Sequence, residues 1–444
     1  MIMVRQGPIG LLAVLVTVIC LLVYLGTTAK NAYSLPSGVS GAFSSSRGGA
    51  QGASNPAAKV YGKDYRGRSK PADINRVTNS TLGFTKIFVV GLPERSDKRD
   101  AIALSAALTG FDVEWIDGVR GTDIPDKAVP FGVDRKKLME TNLGSWRGHM
   151  NAVRRMVEEG IESALIMEDD MDWDVRLKAQ LEMIATGSRK LMTDLPETYF
   201  PSHPKTAGSG TPASPYGNDW DVLWLGHCGE PFPEDLDENK GLAEDDPARL
   251  AMQRKYTISN DPSVPPRAQV KGLADFAAHP ERTRFVHHTA APICTFAYAL
   301  SQRGAQKVLF DLSVDRLAGP FDNALAGLCR RAVGAWPELA RRRAASAAAP
   351  GSGSGPAEKK LWSEEELRGI TTDRGDRGLD AKCLSVTPPV FFHHKKKGLL
   401  SGDSDIQTVG DGGIREKGTT ENIVWSARNN LRNMMLGLPM ESQY

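Results

Sequence analysis

Short apolar runs alternate with helical patterns along residues 86–312, and this succession constrains the fold more than any other feature. Residues 86–90 predict a strand that enters a turn at Gly91, and residues 95–108 predict a helix that ends at Gly110. The same reasoning predicts strands at 111–116, 164–167, 222–225 and 295–300, and helices at 144–159 and 304–312. Strands separated by helices are typical of an α/β domain with a mainly parallel sheet.

Three stretches interrupt this succession, and we interpret them as surface loops. They lie near residues 193–218, 230–281 and 341–370 and are rich in Pro, Gly, Ser or Ala. The third begins with three arginines at 341–343, which we interpret as a solvated face rather than a phosphate site. The domain that contains these loops is predicted to span residues 84–436.

Composition narrows the class of function. The chain of 444 residues has 55 Lys and Arg against 53 Asp and Glu, so its formal net charge is +2. This near balance argues against a dedicated nucleic-acid-binding protein, which usually carries a marked basic excess. The cysteines show no Cys-x-x-Cys pattern, which argues against the usual structural zinc sites. Cys228, Cys294, Cys329 and Cys383 could form one or two disulfides or stay buried as free thiols.

An uncharged, mostly apolar run occupies residues 9–25, between Arg5 and Lys30. Its length is at the short end of the roughly 17–25 residues that span a bilayer. We interpret residues 1–30 as a short cytosolic tail and an uncleaved signal-anchor helix. A cleaved signal peptide is the alternative, with a passable cleavage site at residues 27–29. Either way, the remainder of the chain would be translocated.

Residues 31–83 are predicted to form a disordered stem. Ser, Gly and Ala dominate residues 34–57, and no helical or strand period is present, so burial cannot offset the entropy of ordering. Asn79 begins an Asn-Ser-Thr glycosylation acceptor at the end of this stem, where we expect it to be exposed.

The strongest candidate site follows a predicted buried strand. Glu168, Asp169 and Asp170 come directly after it, with Asp172 and Asp174 close behind. In open α/β sheets, ligands bind beyond the carboxyl ends of strands, and clustered carboxylates repel one another unless a cation holds them. Mg²⁺ or Mn²⁺ together with substrate phosphates would suit such a cluster. The alternative, acids at the amino end of a helix, can account for Asp172 and Asp174 but not for the other three.

Three further segments contain residues that could belong to a binding or catalytic site. His149 shares a predicted helix face with apolar residues, and this spacing favours a histidine that faces the core. Asp322 stands near the start of an apolar helix, where a capping role and a functional role are both open. His393 and His394 follow an apolar strand and precede three lysines, which suits metal and phosphate ligation but also a plain surface.

Seven segments occur in an order that resembles glycosyltransferase family 25, the group of lipooligosaccharide-type β-galactosyltransferases and collagen galactosyltransferases. They are residues 89–99, 115–118, 144–149, 165–170, 298–307, 320–322 and 401–406. The resemblance covers residues 86–406, interrupted by the three loops, and is greatest to the fungal members. Gly91, Ser145 and Gly148 differ from the residues that bacterial members of the family usually have at these positions. These differences affect the expected contacts with the donor more than the expected fold.

The resemblance implies a GT-A (Rossmann-like) fold, a nucleotide-sugar donor that is usually a UDP-sugar, a divalent metal ion and an inverting transfer. Together with the chemistry of the residues, it assigns donor binding to Arg95, Arg99, His149, Glu168 and Asp169, metal binding to Glu168, Asp170, His393 and His394, and catalysis to Asp322 as the base.

The predicted function is a metal-dependent, inverting glycosyltransferase that moves a sugar, with galactose as the candidate, from a UDP-sugar to a glycan or glycoprotein. It would be a single-pass type II protein of the Golgi or endoplasmic reticulum membrane, with its catalytic domain in the lumen. Two alternatives stay open: a glycoside hydrolase that uses two of the carboxylates, and a catalytically inactive relative that binds glycans.

Overall fold

The computed structural model describes residues 76–199, 214–348, 379–406 and 413–444. The predicted tail and signal-anchor at 1–30, most of the predicted stem, and parts of the first and third predicted loops lie outside these ranges. Within the ranges, no helix is both long enough and apolar enough to cross a membrane. The topology of the amino terminus therefore stays a prediction.

The described residues form a large central sheet and two small ones. In chain order, the strands are β1 (Lys86–Gly91), β2 (Glu114–Asp117), β3 (Ser163–Glu168), β4 (Met171–Trp173), β5 (Val222–Gly226), β6 (Lys255–Ile258), β7 (Arg284–His288), β8 (Ala297–Ser301), β9 (Cys383–Thr387), β10 (Phe391–Lys395), β11 (Gly398–Leu399), β12 (Ile414–Arg415) and β13 (Thr419–Thr420). The central sheet has eight strands in the order β2-β1-β3-β8-β5-β9-β7-β6, and β13-β10-β4 form a second sheet. β11 pairs with β12.

The α/β class is confirmed, but the central sheet is mixed rather than mainly parallel. β1 pairs in parallel with β2 and β3, and β5 pairs in parallel with β9. β8 lies antiparallel between β3 and β5, and β7 lies antiparallel between β9 and β6. A strand that is covered on both faces has a continuous apolar run whatever its direction, so the sequence pattern did not reveal that β8 is reversed.

Both faces of the central sheet are buried. In β1, Ile87 and Val89 project into one apolar cluster, whereas Phe88 and Val90 project into the other. β3, β5 and β8 alternate in the same way, because successive side chains of a strand point to opposite faces. The sheet is therefore the middle layer of three.

Helices form the outer two layers. In chain order, they are α1 (Ser96–Thr109), α2 (Glu140–Glu158), α3 (Leu177–Asp194), α4 (Pro247–Met252), α5 (Gln302–Leu309), α6 (Phe321–Gly334), α7 (Trp336–Ala348) and α8 (Leu431–Leu436), and a π-helical segment (Phe310–Asp315) follows α5. Apolar residues of α1 and α3 belong to the first cluster, and those of α2, α5 and α6 belong to the second. These five helices thus bury apolar faces against the sheet.

Two of the predicted loops contain regular structure. Within residues 230–281, α4 is followed by β6, which forms the edge of the central sheet. The arginine run belongs to α7, where Arg341 and Arg342 both pair with Glu338. The loop predictions are wrong here because the edge strand, Lys-Tyr-Thr-Ile, is not a continuous apolar run, and because Ala and Arg favour a helix. The helix α3 continues to Asp194 and so extends into the start of the first predicted loop.

Residues 76–83, which the sequence assigns to the stem, form turns that pack on the domain. Leu82 is fully buried, and its carbonyl oxygen accepts a hydrogen bond of 2.8 Å from the Tyr216 hydroxyl. Asn79, the candidate glycosylation residue, accepts hydrogen bonds of 2.9 Å at Oδ1 from the backbone N–H of Thr81 and Gly83. This part of the chain therefore belongs to the packed domain rather than to a stem.

Two disulfides join distant parts of the fold, so the open question about these cysteines is resolved in favour of bonds. Cys228 is bonded to Cys294, and Cys329 is bonded to Cys383. The first links the segment after β5 to the segment before β8, and the second links α6 to β9.

Candidate functional site

A cavity of about 250 Å³ opens at the carboxyl ends of the parallel strands β1, β2 and β3. It is lined by the strand ends 90–92 and 168–170, the loop 118–122, Lys98 of α1, five residues of α2 (140, 141, 144, 145 and 149) and residues 404–406. The position agrees with the general rule that ligands of open α/β sheets bind beyond the carboxyl ends of strands.

Two glycines let α2 approach the loop after β2, which shapes one wall of the cavity. A Cβ atom on Gly144 would lie 2.4 Å from the carbonyl oxygen of Val119. One on Gly121 would lie 1.9 Å from the carbonyl oxygen of Glu140. Since real Cβ atoms do not come this close to backbone, both positions require glycine for this packing.

Three carboxylates surround the ammonium group of Lys98 in the cavity. Lys98 Nζ lies 3.1 Å from Asp169 Oδ1, 3.0 Å from Asp170 Oδ2 and 2.7 Å from Asp405 Oδ2. The Lys98 side chain is only 7% exposed. The predicted repulsion among the acids is thus relieved partly by a lysine, which the sequence argument did not include.

The pKa values of Asp169 and Asp170 are shifted in opposite directions. Burial and the neighbouring Asp170 charge raise the pKa of Asp169 to about 7. Burial acts in the same direction on Asp170, but Lys98 and His393 outweigh it and lower the pKa of Asp170. Burial disfavours the charged form of Lys98, yet Asp170 and Asp169 raise its pKa well above the ordinary value. Asp170 and Lys98 are therefore charged at neutral pH.

Glu168 and His149 line the cavity on the side of helix α2. Glu168 Oε1 accepts a hydrogen bond of 3.0 Å from the Thr295 hydroxyl and lies 3.6 Å from His149 Nε2. His149 Nδ1 is 3.0 Å from the Tyr298 hydroxyl, and its ring stacks on Phe321 with centroids 4.4 Å apart. The histidine faces the core, as its spacing favours, and also lines the cavity.

The two arginines predicted to bind the donor lie outside the cavity lining. Arg95 forms ion pairs with Asp97 and Asp405, so it reaches the cavity only through Asp405. Arg99 pairs with Asp117, and its guanidinium lies 4.6 Å from the ring centroid of Trp115. Donor contact by either arginine stays a prediction.

The two histidines predicted as metal ligands are separated by the alternation of β10. His393 Nε2 lies 3.6 Å from Asp170 Oδ2, at the cavity side. His394 instead has Nδ1 at 2.8 Å from the Thr420 hydroxyl and 3.6 Å from Asp172 Oδ2. The prediction that His394 belongs to the same metal shell as Asp170 does not fit this geometry, because neighbouring strand residues point to opposite faces.

Asp322 lies in the first turn of α6, as the sequence predicts. Its Oδ2 accepts a hydrogen bond of 3.2 Å from the backbone N–H of Cys294, and its Oδ1 accepts one of 2.9 Å from Asn323 N–H. It is absent from the cavity lining, but Cys294 precedes Thr295, the residue that binds Glu168. Asp322 is thus connected to the cavity through two consecutive residues.

Asp170 is the residue that best suits the binding of a divalent metal ion in the cavity. Its Oδ1 atom is buried and has no hydrogen-bond partner among the described residues. The described part of the chain contains no group of three or more His, Cys, Asp or Glu residues arranged to hold a metal ion by themselves. Mg²⁺ and related ions often use one or two carboxylates together with substrate phosphates. The residues therefore fit a metal ion that a phosphate-bearing substrate helps to hold.

Sequence reasoning missed Lys98, Thr295 and Asp405 as site residues. Lys98 shares the buried face of α1 with Ile102, at a spacing of four residues, and this spacing was the available signal. Asp405 and Thr295 offer no such signal. Asp405 lines the cavity from a segment that is distant in sequence, and Thr295 is connected to it only through its hydrogen bond to Glu168.

The chain is weakly similar to galactosyltransferases and related proteins. It is 23% identical to procollagen galactosyltransferase 1 of Danio rerio over 145 residues, which are 27% of this chain and 24% of the relative. It is 23% identical to a glycosyltransferase 25 family member of Anopheles gambiae over 145 residues, 29% of this chain and 24% of the relative. A third relative, procollagen galactosyltransferase 1-B of Xenopus laevis, is 21% identical over 145 residues, 27% of this chain and 24% of the relative.

No protein-family model matches the chain. The chain spans about a quarter of the length of the curated relatives it matches. The fold and these matches together define an α/β protein that is distantly homologous to glycosyltransferases. The particular relationship is to members of glycosyltransferase family 25.

Proposed function

We propose that this protein is a glycosyltransferase that moves a sugar, with galactose as the first candidate, from a UDP-sugar to a glycan or glycoprotein. The observation that carries the proposal is the charged group of Asp169, Asp170 and Lys98 in a cavity at the carboxyl ends of β1, β2 and β3. Sugar transfer from a nucleotide requires stabilisation of a departing diphosphate, and Lys98 together with a cation held by Asp170 can supply it. The distant homology to galactosyltransferases supports the same class.

We further propose that transfer depends on Mn²⁺ or Mg²⁺. The ion would stabilise the negative charge that develops on the leaving diphosphate. Asp170 would hold it through the unpartnered Oδ1 atom, with His393 nearby and donor phosphates completing the coordination. Glu168 already binds Thr295 and is better placed to orient the donor than to ligate the ion.

Asp322 is our candidate for the base of an inverting transfer. In a single displacement, the acceptor hydroxyl attacks opposite the leaving diphosphate, so the base must lie away from the acids that face the diphosphate. Asp322 meets this condition, since it contacts Cys294 rather than Lys98. Asp322→Asn should lower turnover by about 10²–10⁴-fold, as is typical when a general base is lost. Near-normal turnover in the folded variant would leave Asp322 a first-turn acid that binds backbone N–H groups.

The proposed location is the lumen of the Golgi or endoplasmic reticulum, behind a type II membrane anchor. Two disulfides support an oxidising compartment, where such bonds form and persist. Protection of the carboxyl end from protease in intact microsomes would test the orientation, and its cleavage from the cytosolic side would contradict it. The closer relation to fungal family members also stays a prediction.

The first experiment is a panel of UDP-sugars, each with Mn²⁺, in which donor hydrolysis is measured without an acceptor. Turnover of one donor that EDTA abolishes would support a metal-dependent transferase. Turnover of a simple glycoside without any nucleotide would favour the hydrolase alternative, and binding of glycans without turnover of any donor would favour the inactive relative.

A further inference from the structure

Residues 403–406, called here the 403–406 segment, cross the mouth of the cavity from α1 to α2. Asp405 pairs with Lys98 and with Arg95, both on or beside the amino end of α1. On the opposite side, the Thr141 hydroxyl of α2 donates a hydrogen bond of 2.9 Å to the carbonyl oxygen of Ile406. The segment therefore joins two walls of the cavity and lines the space between them.

The start of the 403–406 segment is held independently of the cavity. Arg415 Nη2 and Nη1 donate to the Asp403 carboxylate at 2.8 and 2.9 Å. His393 Nε2 lies 3.1 Å from the carbonyl oxygen of Asp403. Asp405 can therefore leave Lys98 and Arg95 by a local change, while the segment stays anchored at Asp403.

Counting charges shows what Asp405 does to the cavity. Asp97 pairs with Arg95 but also with Lys396, so the charges of Asp97 and Lys396 cancel. Lys98 and Arg95 then contribute two positive charges, and Asp170 and Asp405 contribute two negative charges even if Asp169 is protonated. A diphosphate that entered this group would therefore meet no net attraction while Asp405 is in place. Without Asp405 in place, the positive charges of Lys98 and Arg95 would exceed the negative charge of Asp170, and a phosphate anion could take the position of the Asp405 carboxylate.

We propose that Asp405 is an internal anion that occupies the position of a ligand's diphosphate against Lys98 and Arg95, and that it must leave both before a diphosphate binds. The contact with Lys98 is the shortest of the three ion pairs of that lysine, and Asp405 is the most exposed of the three acids at 31%. Asp405 is thus the acid that can be displaced with the smallest disturbance of buried groups. The inference rests on the proposed function only for the identity of the natural diphosphate.

The test uses inorganic pyrophosphate as the probe and the purified full-length chain. Its dissociation constant is measured calorimetrically, with and without Mg²⁺, for the wild type and for Asp405→Asn. Removal of the competing charge should lower the dissociation constant by about fivefold, the effect of one partly exposed ion pair. Asp97→Asn is the matched control, because it removes the same charge from Arg95 at a residue that does not line the cavity.

A second measurement reports on the movement itself. Hydrogen exchange of the 403–406 segment should increase when pyrophosphate binds to the wild type. The proposal is overturned if Asp405→Asn leaves affinity unchanged or weakens it, if Asp97→Asn strengthens binding equally, or if exchange of the segment decreases on binding. If no UDP-sugar is turned over but Asp405→Asn binds pyrophosphate more tightly, the proposed function fails and this inference stands.

Discussion

Two pairs of aspartates, only two residues apart in sequence, have opposite environments. Asp169 and Asp170 face the cavity, where Lys98 is shared with Asp405 and Asp170 Oδ1 has no partner among the described residues. Asp172 and Asp174 are completely buried, and both are surrounded by hydrogen-bond donors. This run of acids therefore has an available half, Asp169 and Asp170, which faces the cavity, and a structural half, Asp172 and Asp174, whose oxygens are bound within the fold.

The donors to the structural half come mainly from the carboxyl-terminal part of the chain. Asp172 accepts hydrogen bonds from the Thr420 hydroxyl at 2.6 Å, from Arg428 N–H at 3.1 Å and from the Ser426 hydroxyl. Asp174 accepts from Trp425 N–H at 3.0 Å, as well as from the neighbouring Arg176. The comparison teaches that satisfied hydrogen bonds, rather than residue type or position after a strand, distinguish a structural acid from a site acid.

The largest expected effect is the loss of activity in Asp170→Asn. The variant should lower the rate of donor hydrolysis or transfer by about 10²–10³-fold, comparable to the removal of one electrostatic stabiliser of a transition state. Stability should decrease only modestly, because Lys98 and His393 lower the pKa of Asp170 and its charge therefore stabilises the fold, whereas the loss of one of three carboxylates around Lys98 relieves repulsion. Initial rates and denaturant unfolding of the same preparation measure both quantities.

Two results together would contradict the distinction between available and structural acids: an Asp170→Asn protein that unfolds easily, and a wild type that Mn²⁺ does not stabilise. The cavity acids would then be structural as well, and the metal assignment would be wrong.

The second effect is the loss of stability in Asp172→Asn, which makes the same substitution in the structural half. Burial disfavours the charged form of Asp172, but His394, Ser426 and Thr420 lower its pKa. Replacing this acceptor should reduce the free energy of unfolding by about 2–3 kcal/mol, as for hydrogen bonds to a charged group. Activity per folded molecule should be nearly normal. Unchanged stability in this variant would show that the bonds to Asp172 are dispensable.

The third prediction concerns pH and a third kind of acid, one that is buried without a cation. Glu230 is fully buried, and its Oε1 lies 3.7 Å from Nε2 of both His227 and His287. Burial raises the pKa of Glu230 from 4.5 to about 8, so it is protonated at neutral pH. Burial lowers the pKa of His227 to about 4 and that of His287 to about 3, so both are neutral.

Because the pKa of Glu230 is higher in the folded protein than the ordinary value of 4.5, its contribution to stability should decrease between pH 4.5 and about 8. The histidines act in the opposite direction, and their contribution should decrease as pH falls below 6.5. Glu230→Gln should therefore remove the decrease on the alkaline side and keep the one on the acidic side. Unfolding free energies from pH 5 to pH 9 compare the two proteins. Parallel profiles would mean that Glu230 is already ionised in the fold.

Much of the fold could be predicted because the central strands are long, apolar and separated by clear helices. The predicted strands at 86–90, 164–167 and 222–225 lie within β1, β3 and β5. The direction of β8 could not be predicted, since burial on both faces removes the alternation that marks an exposed antiparallel strand. The strand β7 was not predicted at all, because its sequence, Arg-Phe-Val-His-His, contains only two apolar residues. The edge strand β6 was missed because its sequence, Lys-Tyr-Thr-Ile, is only partly buried and does not form a continuous apolar run.

The site could be predicted in part. Glu168, Asp169, Asp170 and His149 do meet in one cavity, because the end of a buried strand and the inner face of α2 are both readable from sequence. His394 was grouped with His393 because the two are adjacent, but adjacent residues in a strand project to opposite sides. Lys98 was overlooked because its burial depends on three acids, of which Asp405 is more than 300 residues away.

The sequence by itself determined the α/β class and placed a run of acids at the carboxyl end of β3, because periodicity and strand length are local properties of the chain. Only the tertiary structure decided which acids in that run are available. Asp172 and Asp174 are satisfied by donors from residues 420–428, whereas Asp169 and Asp170 share one lysine with Asp405. Hydrogen bonds and charges act through space over a few ångströms, so the role of each carboxylate depends on which distant segments the fold brings within reach.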